Sequence, residues 1–290
     1  YNIMSECVFV SDLHGHRDRY QKLVRWIQDK KPAAVFIGGD ILPGGSILNT
    51  HPNSIFNDFI KQYLFPEFCQ LKANLLEAYP QVFIIMGNDD PRIEEDKLIL
   101  GDTEGLWHYI HNRHIQWGKY TVFGYSYVPP TPFLLKDWER YDVSRFVDVG
   151  AVSPEAGYFT VPVKESDKRW STIEKDLEAL TSDHDISKAI YLFHAPPYHT
   201  NLDRADLDNK MIDYAPLDVH IGSIAIQRFI KNRQPLITLH GHVHESSRIT
   251  GQWRDQIDST FLYSAAYDGH ELAIICFDPD HPELAYRELI

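Results

Sequence analysis

The chain has 290 residues, 43% of them hydrophobic and 13% aromatic, which is a globular composition with room for one large α/β domain or two small ones. Its 41 acids against 28 bases give a net charge of -13, so no basic field exists to hold a nucleic acid or an anionic membrane, and any anionic ligand must be attracted locally. Three cysteines, Cys7, Cys69 and Cys276, sit in apolar runs and predict buried thiols in a reducing, cytoplasmic setting; no apolar stretch approaches a membrane span, which predicts a soluble chain.

The first element is a strand through Val8, Phe9 and Val10 that ends abruptly in Ser11-Asp12-Leu13-His14-Gly15-His16. Asp12 and His14 are two residues apart, so on an extended backbone they point the same way and can reach one ion. Tyr20, Leu23, Val24 and Ile27 then fall on one helical face, with Pro32 beyond its stop. Ala33 to Ile37 predicts a second strand, closed by Gly38-Gly39-Asp40. A loop from Pro43-Gly44-Gly45 through His51 and Pro52 precedes a helical face of Ile55, Phe56, Phe59, Ile60, Tyr63 and Leu64, which Pro66 should break or kink. A further helical stretch runs through Leu71, Leu75 and Leu76. Gln81 to Met86 is a continuous apolar strand of the kind buried on both faces, and it ends in Gly87-Asn88-Asp89-Asp90.

Three strand-helix repeats with polar residues at each strand's C-terminal edge are how open α/β sheets build sites. Shorter strands follow between Leu106 and Tyr127, clearest at Thr121 to Tyr125, and then a poorly periodic insertion from Pro129 to Trp170. Ser171-Thr172-Ile173-Glu174 fits a capping box for a helix buried through Ile173, Leu177 and Leu180. Ala189 to Phe193 is a strand ending in His194. An Asp-rich loop from His199 to His220 leads to a helix capped by Ser223 and ended by Pro235. Leu236 to Leu239 is a strand terminating in His240-Gly241-His242-Val243-His244. Phe261 to Ala265 and Leu272 to Phe277 complete the chain as two strands, readable as an antiparallel pair. No linker or repeat divides the sequence, which predicts one domain over residues 1–290 with an insertion at about 129–170.

With 15 histidines in 290 residues, chance alone places about 0.8 His-x-His pairs, so the pair His242 and His244 means little by count. His108, His111 and His114, at a spacing of three, read as a solvated segment rather than a metal box. Position carries more: Asp12 with His14, Asp40, Asn88, His194, and His242 with His244 follow five separate apolar strands.

Asp-x-His, Gly-Asp, Gly-Asn, a lone strand-end His and Gly-His-x-His, in that order from about Val8 to Glu245, resemble the calcineurin-like metallophosphoesterase superfamily. The resemblance implies a four-layer α/β/β/α sandwich of two mixed sheets flanked by helices. It implies two divalent metal ions, with Asp12, His14 and His244 holding one, Asn88, His194 and His242 the other, and Asp40 bridging them. It further implies hydrolysis of a small phosphodiester or phosphomonoester by a metal-bridging hydroxide. The charges agree: two ions bring +4, Asp12 and Asp40 return -2, and a local excess of about +2 binds phosphate inside an acidic protein. Mixed nitrogen and oxygen ligands suit Mn, Fe, Zn or Co, with manganese the first to try.

Most members of that superfamily read Gly-Asn-His, the histidine serving the leaving group; here the position is Asp89. An ionised Asp89 repels phosphate, so a catalytic Asp89 needs a raised pKa or a substrate cation. His16 is the other candidate catalytic residue, with a polar start to the first helix as its plain alternative. Gly39-Asp40-Ile41-Leu42-Pro43 lacks the Asp-Arg-Gly continuation of the superfamily's protein phosphatases and the ligand tyrosine of its purple acid phosphatases. What remains resembles the small prokaryotic phosphoesterases and the cyclic-nucleotide phosphodiesterase-like branch. The alternative is a catalytically weak member serving as a metal-containing binding module; a nuclease finds no support in charge. The insertion and the loop from His199 to His220 are the expected pocket walls, where Tyr125, Tyr127, Phe133 or Trp138 could stack on a base, although packing is the commoner fate of such rings.

Overall fold

A computed structural model describes residues 6–44, 58–182 and 184–290. His51, Pro52, Ile55 and Phe56 of the expected loop and helical face lie outside them. In chain order the elements are β1 (Cys7–Val10), α1 (Arg17–Lys30), β2 (Ala34–Gly38), α2 (Phe65–Leu75), β3 (Gln81–Ile85), α3 (Glu95–Thr103), β4 (His108–Tyr109), β5 (Arg113–Trp117) and β6 (Tyr120–Tyr125). Then come α4 (Glu165–Trp170), α5 (Ile173–Thr181), β7 (Ala189–Phe193), a short hairpin of β8 (Met211–Ile212) and β9 (Ala215–Pro216), α6 (Ile224–Arg233) and β10 (Ile237–His240). The chain finishes with α7 (Ser246–Thr250), β11 (Arg254–Ile257), β12 (Thr260–Ser264), β13 (Ala273–Asp278) and β14 (His281–Leu289).

The strands form two six-stranded mixed sheets, ordered β14-β13-β1-β2-β3-β4 and β11-β12-β10-β7-β6-β5. β1, β2 and β3 run parallel, with Val8 opposite Val35 and Phe36 opposite Phe83; β13 lies antiparallel on the other side of β1. In the second sheet β12, β10, β7 and β6 are parallel and the edges β11 and β5 are antiparallel.

Alternation along each strand makes the layers. Phe9, Phe36, Phe83 and Ile85 of the first sheet meet Val122, Ile190, Leu192 and Leu239 of the second in a core between the sheets. The intervening residues Val8, Val10, Val35, Ile37 and Ile84 belong to a second core with the helical Leu23, Ile27, Phe68 and Leu71. Rings cross the interface: Phe36 meets Trp117 edge-on at 6.5 Å between centroids, and Tyr263 packs on Phe277 at 5.8 Å. Each such side chain, fully buried, contributes about 1.5–3 kcal/mol. The architecture is therefore helices outside two mixed sheets, the four-layer α/β/β/α sandwich.

Several local expectations are corrected. Pro66 does not end the helix: a turn of π-helix at Ile60–Leu64 runs into α2, and the proline stands where the winding changes from one to the other. Leu76 lies past the helix at φ 53° and is 74% exposed rather than on a buried face. The cap of α5 is Thr172, whose hydroxyl accepts from the Lys175 N–H at 3.3 Å, not a Ser171–Glu174 box; the Ile173 and Glu174 amides are taken by the Tyr141 and Asp142 carbonyls. The last two expected strands do not pair, because β12 and β13 belong to different sheets, and β14 follows them. No disulfide joins the cysteines, but Cys69 is exposed on the outer side of α2. His111 is not solvated: its ring is enclosed by Tyr125, Tyr127 and Trp138 and accepts the Ser126 N–H at 3.1 Å. No described helix is long and apolar enough to cross a membrane.

Candidate metal centre

The loops after β1, β2, β3, β7 and β10 emerge at one edge of the two sheets, and hydrogen bonds tie them together. The Asp12 N–H donates to the Gly39 carbonyl at 3.0 Å and the His14 N–H to the Asp40 carbonyl at 2.8 Å. Asp12 and His14 do converge, although not by strand alternation: β1 stops at Val10. Asp12 (φ 57°), His14 (φ 45°), Asp40 (φ 49°) and His242 (φ 74°) all adopt the left-handed backbone that non-glycine residues avoid, at a cost of about 1–3 kcal/mol each. Gly87 and Gly241 let the side chains close in, since a Cβ on Gly87 would lie 2.3 Å from Asp40 Oδ1 and one on Gly241 2.7 Å from Asp12 Oδ2.

Ligand atoms of Asp12, His14, Asp40 and His244 all lie within 4.8 Å of one another. His244 Nε2 is 3.2 Å from both Asp12 Oδ1 and His14 Nε2, and His14 Nε2 is 3.9 Å from Asp40 Oδ2. Asp40 Oδ2 is also 3.3 Å from His194 Nε2, which lies 3.0 Å from Asn88 Oδ1. The His242 ring stands 5.3 Å from that of His194, and the His242 backbone N–H donates to Asp12 Oδ1 at 3.0 Å. Asp40 is thus shared between the two halves of the cluster, and its other oxygen accepts the Asp89 N–H at 2.8 Å.

The electrostatics favour positive charge here. Burial alone would raise the Asp12 and Asp40 carboxyls, yet the neighbouring histidines hold both below the usual range. Burial alone would depress His194, but Asp40, with Asp12 and the Gly38 carbonyl, raises it to about 10; Asp12 likewise brings His244 to about 9. His242, buried and beside His194, falls to about 3. The raised His194 and His244 favour protons at a place where divalent ions would replace them, and the donors, nitrogen and carboxylate oxygen, fit such ions.

Asp89 lies beside the cluster, 3.7 Å from His14 Nδ1, and burial followed by the charge of Asp40 pushes its carboxyl up. His16 is exposed at the N-cap of α1, its ring bonded to no helix amide and outside the cavity above the cluster. That cavity is about 470 Å³, floored by Asp40, Asn88, His242 and His244 and walled by parts of the insertion and of the loop 199–220. Phe133 lines it at 60% exposure, whereas Tyr125, Tyr127 and Trp138 are buried in packing.

Three supporting residues escape sequence reasoning. Buried Asp90 accepts the amides of Gly87, Ile41 and Leu42, binding the β2 and β3 loops together. Asp203 accepts from the His199, Thr200 and Gly222 amides and meets His220 Nδ1 at 2.8 Å, closing the Asp-rich loop. Arg19 donates to the Asp12 carbonyl at 3.1 Å and the Gly269 carbonyl at 2.7 Å. Only Asp90, directly after Asn88-Asp89, stood at a position that drew notice.

Similarity to known proteins agrees with this geometry. The family described as calcineurin-like phosphoesterase matches residues 7–246. One solved structure aligns over 98% of this chain and 98% of its own at a TM-score of 0.60 and 17% identity. The protein TT1561 of Thermus thermophilus aligns over 99% of both chains at 0.56 and 16%, and a dimetal phosphatase from Danio rerio over 94% of this chain and 92% of its own at 0.53 and 12%. At such identity these structures share the fold, and no curated protein sequence matches. With its motifs in order, its two-sheet fold and a match spanning most of its length, the chain belongs to the calcineurin-like phosphoesterase family.

Proposed function

We propose that the chain is a dimetal-dependent phosphoric ester hydrolase acting on a small phosphodiester or phosphomonoester. The observation that carries this reading is the convergence of Asp12, His14, Asp40 and His244 on one point, with His194 and Asn88 continuing the set through the shared Asp40. When bound, two divalent ions would supply an acidified water and polarise the phosphoryl oxygens. Asp12, His14 and His244 would hold one ion, Asn88, His194 and His242 the other, and Asp40 both.

The chain's own residues do the positioning. His194 Nδ1 is engaged by the Gly38 carbonyl at 2.8 Å, so its Nε2 faces Asp40 and Asn88. Asp90 fixes the two loops that carry Asp40 and Asn88. Asp89 would protonate the leaving group, a role supported by its place in the cavity wall beside the cluster and by its raised carboxyl; His16, exposed at the start of α1, would reach only a substrate that extends outward. Manganese and a reducing, cytoplasmic setting complete the reading.

The test is hydrolysis of bis(p-nitrophenyl) phosphate and p-nitrophenyl phosphate by Mn-reconstituted protein, with metal content measured on the same sample. Turnover with two bound ions is expected, lost in Asp12→Ala, and Asp40→Ala should lose both ions together. Two ions with no turnover on either ester would instead support the binding module.

A further inference from the structure

The cavity above the candidate metal centre has an unusual charge for a site that takes a phosphate. All 28 Lys and Arg residues fall among the described residues, since 1–5, 45–57 and 183 contain none. None of them lines the cavity. Its charged wall residues above the cluster are instead Asp89, Asp148, Asp218 and Glu245. Asp148, on the insertion, and Asp218, on the loop 199–220, are both exposed, and burial together with Asp218 pushes the Asp148 carboxyl up. Arg204 and Arg248, on neighbouring segments, are engaged elsewhere, by Asp208 and by Asp268.

Most of the rest of the described wall is apolar, with Pro129, Pro130, Phe133, Val149, Leu217 and Ile221 facing the same space and Thr131 and His220 as its polar members. The same two segments carry further exposed apolar side chains, Phe146 on the insertion and Met211 and Tyr214 on the hairpin and its turn. Insertion and hairpin meet there, because a Cβ on Gly150 would lie 2.8 Å from Ile212 Cδ1. Isolated exposed apolar residues need no explanation, but a largely apolar wall lining a cavity marks a binding surface.

Resting on the hydrolase reading above, we infer that the substrate is a monoanionic phosphodiester whose second alcohol is an apolar group without any further anion. A phosphomonoester carries about -1.5 to -2 at neutral pH, and a nucleoside or sugar ester with additional phosphates carries more. Each extra negative charge would meet carboxylates with no wall cation to pair it. Counting the hydroxide of the hydrolase reading lowers the centre's excess of about +2 to about +1; a diester's single charge would match that, and its apolar arm would bury against Phe133, Val149 and Leu217, worth about 0.8 kcal/mol per methylene. The 470 Å³ of space holds such an arm.

The experiment compares two diesters with the same leaving group, p-nitrophenyl hexyl phosphate and p-nitrophenyl 5-carboxypentyl phosphate. In each, water adds to phosphorus, the bond to p-nitrophenolate breaks, and an alkyl phosphate, nitrophenolate and a proton are released. The expected kcat/KM is about tenfold higher for the hexyl ester, and Asp148→Lys, a change at an exposed side chain, should shrink that ratio several-fold. A wild-type ratio at or below one, or a ratio unmoved by Asp148→Lys, would overturn the inference. Calorimetric titration of Mn-loaded protein with the inert diesters hexyl methyl phosphate and 5-carboxypentyl methyl phosphate decides the case even without turnover. In protein that turns over neither reactive ester, about tenfold tighter binding of the hexyl compound upholds the selection and fails the hydrolase reading alone, and equal binding sinks the inference.

Discussion

At the residue Asp89 the chain departs from the superfamily pattern, and the geometry shows what the departure costs. Its backbone N–H still serves Asp40 at 2.8 Å, so the loop keeps its structural duty. Its side chain, 40% exposed and 3.7 Å from His14 Nδ1, brings a carboxylate rather than an imidazole toward the candidate metal cluster. Burial and Asp40 raise that carboxyl, which favours a protonated acid but sets the fraction by the charge of the whole cluster. Asp89→His should therefore raise kcat on esters with poor leaving groups, such as alkyl phosphates, by at least about tenfold, a part of the roughly 10²–10⁴-fold that a positioned acid supplies. Esters of p-nitrophenol, which leave without a proton, should change little. An unchanged alkyl-ester rate in a folded, metal-loaded variant would assign the loop another role.

Among the elements, α6 shows a cap that the sequence announced and a partner that it did not. Ser223 Oγ accepts the Ile226 N–H at 3.0 Å, as its position before an apolar helical face predicts. The same hydroxyl donates to Asp142 Oδ1 at 2.5 Å, and Asp142 also accepts the Ile224 amide at 2.6 Å, so a residue from the insertion closes the helix end. Ser223→Ala should cost about 1–2 kcal/mol, read as a lower urea midpoint at unchanged m. Legibility follows the same division. The buried parallel strands and the polar residues at their ends could be read because apolar runs stop sharply at Asp12, Asp40, Asn88, His194 and His242. By contrast, α3 buries little beyond Leu98 and Gly101, β11 alternates weakly at an edge, and β14 begins His-Pro-Glu with only Pro282 and Ala285 buried, so none carries a period to detect. The left-handed turns at Asp12 and His14 were also invisible, because tertiary hydrogen bonds to the β2 loop impose them.

For the whole molecule, the buried ring of His240 ties stability to pH. Its Nδ1 donates to the Ala195 carbonyl at 2.9 Å and its Nε2 accepts from the Thr238 hydroxyl at 2.7 Å, leaving no place for a second proton. Burial lowers its pKa to about 3. An unfolded histidine titrates near 6.5, so this stabilisation is full above about pH 6.5 and is lost as pH falls from there toward 3. In metal-free protein, His240→Gln should lose about 2 kcal/mol less than the parent between pH 7 and pH 5, measured by urea unfolding. Equal losses would mean that the fold accepts the charged ring. The position of β1 has a different consequence. It lies between β2 and β13, so the first strand cannot be enclosed until residues near Ala273 exist. At about 5–20 residues per second, synthesis leaves that wholly apolar strand with an open edge for on the order of ten seconds to a minute. Asp12 waits as long for His242 and His244, so the proposed metal cluster can be assembled only after synthesis has passed His244.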